Sequence, residues 1–104
     1  MTGEMSQSEV TREAWPIHFA IADSLGGEVR AFDQYQGPYV RASRQGNRRP
    51  RKLWLSYVAD GFARLYDEVS DRQSRVFPYC ESWAAEYAVG LVADLHHWHK
   101  VKRD

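Results

Sequence analysis

The chain has 104 residues, of which 43% are apolar and 13% aromatic, and its 14 basic residues balance its 14 acidic ones. This composition excludes a disordered or fibrous protein, because such chains lack the apolar residues needed for a core. The length is typical of one domain, and a single cysteine excludes both an internal disulfide framework and a cysteine-rich zinc module. So few cysteines are typical of a reducing compartment.

We expect a single α+β domain over residues 9–104, preceded by a flexible N-terminus at residues 1–8, which are small and polar. Helical spacing predicts a first helix with the apolar stripe Val10, Ala14, Ile17, Ile21 and Leu25. Pro16 either begins this helix or kinks it, since proline is tolerated in the first turn only. Gly26 and Gly27 end the helix, because glycine readily adopts the left-handed conformation at a helix C-terminus.

Short extended runs divided by turn residues follow the first helix and predict β-strands. The runs are Glu28–Asp33, Tyr39–Ser43, Leu53–Val58, Phe62–Asp67 and Arg75–Tyr79. The clearest signal is Asp60-Gly61, which suits the positive backbone angles of a two-residue hairpin turn. Such a turn places Leu55 opposite Tyr66 and Ser56 opposite Leu65 in the neighbouring strands.

The C-terminal segment predicts a second helix. Its apolar stripe consists of Ala84, Tyr87, Ala88, Leu91, Leu95 and Trp98. Glu81 and Glu86 lie toward its start and His99 and Lys100 toward its end, as the helix dipole prefers. The fold class is therefore α+β, with a helix, an antiparallel meander of about four strands, and a C-terminal helix packed on one sheet face.

The sequence contains no stretch that is long and apolar enough to cross a membrane. Its longest uncharged stretches, 14–22 and 87–93, fall short of the roughly 20 residues required. The start of the chain carries Glu4 and Glu9 and no early Lys or Arg, unlike a secretory signal. By elimination we expect a cytoplasmic protein without a membrane partner.

Positive charge is concentrated in one stretch although the whole chain is neutral. Residues 34–59 contain six basic and no acidic residues, whereas residues 1–33 and 60–94 each sum to −4. The basic residues are Arg41, Arg44, Arg48, Arg49, Arg51 and Lys52. Because guanidinium groups stay charged and pair bidentately with phosphate or carboxylate, these six are the candidate polyanion-binding residues, on a connection between two strands.

Four aromatic residues lie close to this basic run in sequence, namely Tyr35, Tyr39, Trp54 and Tyr57. Exposed rings stack on unpaired bases, which makes these residues candidate nucleic-acid contacts. Two other interpretations of the basic run stay open: a partner with an acidic protein surface, or a solubilising loop whose arginines pair with the acidic flanks. In the segment FDQYQGPYV we favour a Gly-Pro turn with buried rings over an aromatic binding surface.

Other candidates for chemistry are weaker. His96 and His99 lie three residues apart, but transition-metal sites usually have three or four ligands and nothing in the spacing supplies the rest. Cys80 has no recognisable base or oxyanion signature near it, so a buried structural cysteine is favoured. We therefore predict no enzyme activity, no metal and no cofactor.

The leading hypothesis is a small non-enzymatic protein that binds nucleic acid or a nucleoprotein complex through its arginine-rich loop. The first alternative is a regulator or inhibitor of the phage or mobile-element type, similar in role to anti-CRISPR proteins, that blocks a partner protein. A small domain rich in Trp, Tyr and Arg without a catalytic signature motivates it. The second alternative is a homo-oligomeric structural protein, such as a homodimer formed through the C-terminal helix or a free sheet edge.

Overall fold

A computed structural model of the protein describes residues 6–32, 37–42, 50–92 and 98–102. Over these ranges the chain forms two α-helices, an antiparallel sheet of seven strands and one short 3-10 helix. The helices are α1, Pro16–Leu25, and α2, Glu81–Val92, and the 3-10 helix is Gln7–Glu9. The strands are β1, Glu28–Arg30; β2, Tyr39–Ala42; β3, Arg51–Ala59; β4, Phe62–Asp67; β5, Arg72–Ser74; β6, Phe77–Pro78; and β7, Trp98–Lys100.

The strands follow the order β1-β2-β3-β4-β5-β7, and β6 pairs with the start of β4. The expected meander is confirmed for β1 to β4, which are consecutive and antiparallel. Three short strands extend it. The expected strand over Arg75–Tyr79 is replaced by β5 and β6, which pair with different ends of β4.

Both helices pack on the same face of the sheet, as expected for an α+β fold. Helix α1 contacts β1, β2 and α2, while α2 contacts β4 and β6. Fully buried side chains from both layers share one core cluster, among them Ile21 of α1, Leu53 of β3, Leu65 of β4 and Ala88 of α2. The opposite face of the sheet therefore carries the alternate residues of the strands.

Helix α1 ends where the sequence predicts and begins at Pro16, one of the two alternatives that the sequence left open, so Val10 and Ala14 of the expected stripe precede the helix. Pro16 occupies its first turn, and Gly26 follows Leu25 in the left-handed conformation at φ 65°. The next residue, Gly27, donates its N–H to the Ala22 carbonyl at 2.8 Å. A Cβ at Gly27 would collide with the carbonyl oxygen of Arg41, so glycine allows the connection after α1 to lie directly against β2.

The β3–β4 hairpin turns at Asp60 and Gly61, which both have positive φ, at 52° and 83°. The turn was predicted, but the predicted register is wrong by one residue, because a bulge follows Tyr57 and pairs Leu55 with Leu65. A two-residue turn without a bulge would put the apolar residues of β3 and β4 on opposite faces. The bulge absorbs one residue and restores a single apolar face.

The C-terminal helix is shorter than its apolar stripe predicts. Trp98, expected on that stripe, instead lies in β7 opposite Ser74 of β5, so the prediction is wrong there. Its ring is buried and donates the indole N–H to the Tyr87 carbonyl of α2 at 2.8 Å. A tryptophan can thus fill the same core from a strand as from a helix, which is why periodicity did not separate the two. Leu95, also on the expected stripe, lies outside the described residues.

The expected domain boundary at residue 8 falls inside a capped turn. Ser6 and Glu9 form a reciprocal capping box around the 3-10 helix. Between them Gln7 binds strand β1, donating its amide to the Val29 carbonyl at 2.9 Å and accepting the Ala31 N–H at 2.8 Å. Residues from Ser6 onward are therefore attached to the sheet.

Within the described ranges, α1 and α2 have 10 and 12 residues. Neither helix has the length and the apolar composition that crossing a membrane would require.

An ion pair is buried inside the core between β3 and β4. The Arg51 guanidinium lies 3.0 Å from the Asp67 carboxylate, and the two side chains are 7% and 0% exposed. Asp67 also accepts the Ser70 hydroxyl at 2.6 Å and the Val69 N–H at 3.2 Å. Because buried charges need such partners, Asp67 both neutralises Arg51 and orders the turn after β4.

We expect Asp67→Ala to lower the free energy of unfolding by about 3–5 kcal/mol, because it leaves the buried Arg51 charge without this carboxylate. The double variant Arg51→Met/Asp67→Leu replaces the pair with apolar groups, and we expect it to recover most of the loss. Urea denaturation followed by circular dichroism measures both. Asp23→Ala, which breaks the exposed Arg12–Asp23 pair, is the control and should change little. Wild-type stability for Asp67→Ala would contradict a stabilising role for the pair.

One histidine is buried in helix α1. The side chain of His18 packs edge-on against the Trp15 ring, with centroids 5.4 Å apart, and the residue is 7% exposed. Removal from water disfavours the imidazolium and lowers the pKa of His18 from 6.5 to about 4. The folded protein therefore holds this histidine neutral at pH values where the unfolded chain protonates it.

The stability of the protein should depend on pH through His18. Because the unfolded chain takes up the proton first, the contribution of neutral His18 is complete above pH 6.5 and is lost progressively as the pH falls to about 4. A pKa difference of this size corresponds to about 3 kcal/mol. Urea denaturation at several pH values should give a flatter profile over this window for His18→Phe than for the wild type. Parallel profiles would contradict the assignment.

Candidate functional site

Side chains that alternate with the core residues of β1 to β4 lie on the sheet face that the helices leave uncovered. On the covered side, Val40, Leu53 and Leu65 are buried. The uncovered side, called the open face below, consists of Glu28, Arg30, Tyr39, Arg41, Lys52, Trp54, Arg64 and Tyr66. This set contains basic and aromatic residues in adjacent strands.

The basic residues of the open face come from four strands. Arg41 of β2 lies directly between Glu28 of β1 and Lys52 of β3, while Arg30 lies opposite Tyr39. The side chains of Arg30, Arg41 and Lys52 are 48%, 46% and 30% exposed. Their charged ends are therefore accessible from solvent.

Three aromatic rings form a cluster beside these bases. The Trp54 ring lies 4.9 Å from Phe32 and 5.2 Å from Tyr39, measured between centroids, and Phe32 lies 6.4 Å from Tyr39. Phe32 meets both other rings edge-on, whereas Tyr39 and Trp54 are tilted by 42°. We call these three residues the ring cluster. Cross-strand pairing holds Tyr39 and Trp54 in place, and the chain leaving β1 adds Phe32.

The Lys52 ammonium lies over the ring cluster. Its Nζ atom is 4.7 Å from the Tyr39 centroid, 5.3 Å from Trp54 and 5.6 Å from Phe32, which are cation–π distances. Glu68 lies at the same place, with its Oε2 3.7 Å from this Nζ and its Oε1 accepting the Trp54 indole N–H at 3.0 Å. The cluster thus already holds a cation and a carboxylate.

Carboxylates from both acidic segments of the sequence reach the basic run. Glu28 lies 2.9 Å from Arg30 and 3.7 Å from Arg41, and Glu68 lies 3.7 Å from Lys52. These contacts sit at the surface, where solvent and salt weaken ion pairs. The fold therefore interleaves the two signs instead of separating them into poles.

Arg41 lies between two shallow clefts of the surface. The first, about 220 Å³, is lined by Tyr39, Arg41, Pro50, Arg51, Lys52 and Val69. The second, about 210 Å³, is lined by Gly26, Gly27, Glu28 and Arg41. Arg41 is thus shared by the linings of both clefts.

The structure redistributes the residues that the sequence proposed as a polyanion site. It keeps Arg41 and Lys52 together as cross-strand neighbours at the surface. Arg51 is different, because strand alternation turns it into the core, where Asp67 neutralises it. A role in direct polyanion contact does not fit Arg51. Three more members of the set, Arg44, Arg48 and Arg49, lie outside the described residues.

The four aromatic candidates also separate. Tyr39 and Trp54 meet in the ring cluster, and Phe32 joins them. Of the rings in FDQYQGPYV, Phe32 and Tyr39 are half-buried, not buried as expected. Tyr57 lies away from them at the hairpin end, 59% exposed and 5.3 Å from the Tyr79 ring. Tyr35 lies outside the described residues.

Sequence reasoning missed Arg30 and Arg64 of the open face and Glu68 beside it. The signal for the two arginines was present, since each alternates with a buried neighbour, Val29 for Arg30 and Leu65 for Arg64. Period-two alternation alone would have placed them on the polar side of their strands. Nothing local marks Glu68, which reaches Trp54 only because β3 and β4 are paired.

Cys80 lies at the bend before α2, where its carbonyl accepts the Ala84 N–H at 3.1 Å. Its thiol is half-exposed, so the expectation of a buried cysteine is wrong, because the residue stands outside the helix that it precedes. Hydrogen bonds from Ser82 and the Trp83 backbone lower the pKa of Cys80. A lowered thiol pKa without a positioned base is no catalytic site.

The histidines give no metal centre in the described part of the chain. His99 lies in β7 rather than at a helix end, and His96 falls outside the described residues. Across the ranges that can be examined, no three His, Cys, Asp or Glu side chains are grouped to hold an ion.

Neither a protein-family model nor a curated protein nor a solved structure matches this chain. The candidate site is therefore defined by its own chemistry. Exposed guanidinium and ammonium groups pair with anions, and aromatic rings next to them offer flat apolar surface. A nucleic acid presents both complements, phosphates and bases.

Proposed function

We propose that this protein is a small non-enzymatic binding protein that engages nucleic acid, free or within a nucleoprotein complex, on its open face. The observation that carries the proposal is the placement of Arg30, Arg41 and Lys52 around Tyr39 and Trp54 on one uncovered sheet face. Relative to the arginine-rich loop expected from sequence, the proposed contact surface moves onto the strands.

The carboxylates on the open face are compatible with this function. Glu28 and its partners are about half-exposed, and the contacts of Glu28 with Arg41 and of Glu68 with Lys52 are long, at 3.7 Å each. Surface ion pairs of this kind contribute little to stability, so a phosphate can replace the carboxylate as the partner of the same basic side chain. Pairing within the free protein also keeps the bases oriented along the face.

The proposal predicts how affinity depends on salt. Each phosphate neutralised by a basic side chain contributes about 0.7–0.9 to the slope of log affinity against log salt concentration. Arg41→Ala should therefore lower the slope by about 0.7–0.9, measured by fluorescence anisotropy with labelled oligonucleotides between about 50 and 200 mM salt.

The matched control is Arg12→Ala, which removes an arginine that pairs with Asp23 of α1, in the helix layer that covers the other face of the sheet. It changes the net charge of the protein by the same amount, so we expect it to leave the slope near the wild-type value. Equal slopes for the two variants would show that Arg41 on the open face does not contact phosphate. Urea denaturation of each variant excludes loss of fold as the cause.

A second candidate function is supported by a separate surface. At the hairpin end, Tyr57, Phe62 and Tyr79 are 59%, 43% and 44% exposed. Tyr57 contacts Tyr79, and Phe62 pairs with the residue before Tyr79. Exposed aromatic clusters are typical of protein interfaces, which favours the alternative of a regulator that blocks a partner protein.

Substitution at this hairpin-end patch separates the two functions. Tyr57→Ser/Tyr79→Ser should leave nucleic-acid affinity unchanged if the open face is the binding surface, since both rings lie outside it. The same variant should lose a protein partner that wild-type protein retains from lysate after nuclease treatment. If the double variant loses nucleic acid instead, the open-face assignment is wrong.

A further inference from the structure

The ring cluster distinguishes which form of nucleic acid the open face would take. Phe32, Tyr39 and Trp54 lie within 4.9–6.4 Å of one another, beside Arg41 and Lys52. Phosphate recognition needs only the basic side chains, and neighbouring aromatic rings add nothing to it. Rings become useful when a ligand offers its own flat π-surfaces.

Unpaired nucleotides offer such surfaces and a duplex does not. In a duplex both faces of each base are covered by neighbouring pairs, whereas a single strand can turn its bases toward a protein. Stacking on aromatic side chains tolerates every base, because each has a π-face. A sheet face that combines aromatic rings with basic side chains therefore matches a single strand better than a duplex.

Lys52 occupies the position that a stacked base would need. Its ammonium lies 4.7 Å from the Tyr39 centroid and 5.3 Å from the Trp54 centroid. This cover is movable, since the side chain is 30% exposed and its contact with Glu68 is 3.7 Å long. A lysine has a flexible four-carbon stem, so its ammonium can leave the rings while its backbone stays in β3.

A bound single strand would give both the aromatic rings and the Lys52 ammonium a new partner. An unpaired nucleobase would replace the ammonium on the rings, and the ammonium would pair with the adjacent phosphate instead of with Glu68. Arg41, the cross-strand neighbour of Lys52, lies next to this phosphate position. The exchange leaves neither the cation nor the rings without a partner.

Resting on the proposed function, we infer that the open face selects single-stranded nucleic acid, stacking an unpaired base on Tyr39 and Trp54 after Lys52 has moved from the rings to a phosphate.

The test compares three labelled probes of about 12 nucleotides by fluorescence anisotropy at one salt concentration: oligothymidine, oligouridine and a mixed-sequence DNA duplex. We expect at least about tenfold tighter binding of one or both single strands than of the duplex. The two single-stranded arms distinguish DNA from RNA as the preferred source of unpaired bases.

Substitution of Trp54 tests the rings themselves. Trp54→Ala should weaken single-strand binding about tenfold or more without changing duplex affinity, whereas Trp54→Phe, which keeps a ring, should retain most of it. Trp83→Ala is the matched control, because Trp83 is exposed on α2 and lies outside the open face. If Trp54→Ala does not fold, the comparison of the three probes on the wild-type protein still tests the inference.

Two results would overturn this inference while leaving the proposed function in place. One is a duplex affinity that equals or exceeds that of both single strands, and the other is a folded Trp54→Ala variant that binds single strands as tightly as wild type. Absence of binding to all three probes would instead overturn the proposed function, and this inference with it.

Discussion

The one-sided packing of both helices is the constraint on which the rest of the structure depends. Since α1 and α2 cover the same face of the sheet, strand alternation sends Val29, Val40, Leu53 and Leu65 into the core and their neighbours outward. The consequence is sharpest at Arg51 and Lys52, adjacent bases of similar length. One becomes a buried structural cation and the other a surface group over aromatic rings.

The core ion pair and the open face are linked through the same two strands. Asp67 neutralises Arg51 on the covered side and orders the turn after β4 by accepting the Ser70 hydroxyl and the Val69 N–H. That turn carries Glu68, whose carboxylate binds Trp54 and lies near Lys52 on the other side. Local order at the ring cluster is therefore supported from within the core.

The charged residues of this protein pair across the fold, so the acidic and basic segments of the sequence do not form separate surfaces. Acidic stretches on either side of the basic run supply Glu28, Asp67 and Glu68, and each meets a base of that run. Burial decides what each pair does. The enclosed pair stabilises the fold, while the surface pairs leave Arg41 and Lys52 available for exchange with an anionic ligand.

Local chemistry in the sequence determined the end of α1 at Gly26, the Asp60-Gly61 turn and the α+β order of elements, because each depends mainly on residues close together in the chain. It left open whether Pro16 begins the helix or kinks it. Only the tertiary structure decided the bulge after Tyr57, the place of Trp98 in a strand, and the separation of Arg51 from Lys52. Those features depend on which face of the sheet the helices cover and on which strand edges remain free. Composition and short-range spacing do not determine either property. The basic run could therefore be recognised from the sequence, but which of its residues lie on the open face could not.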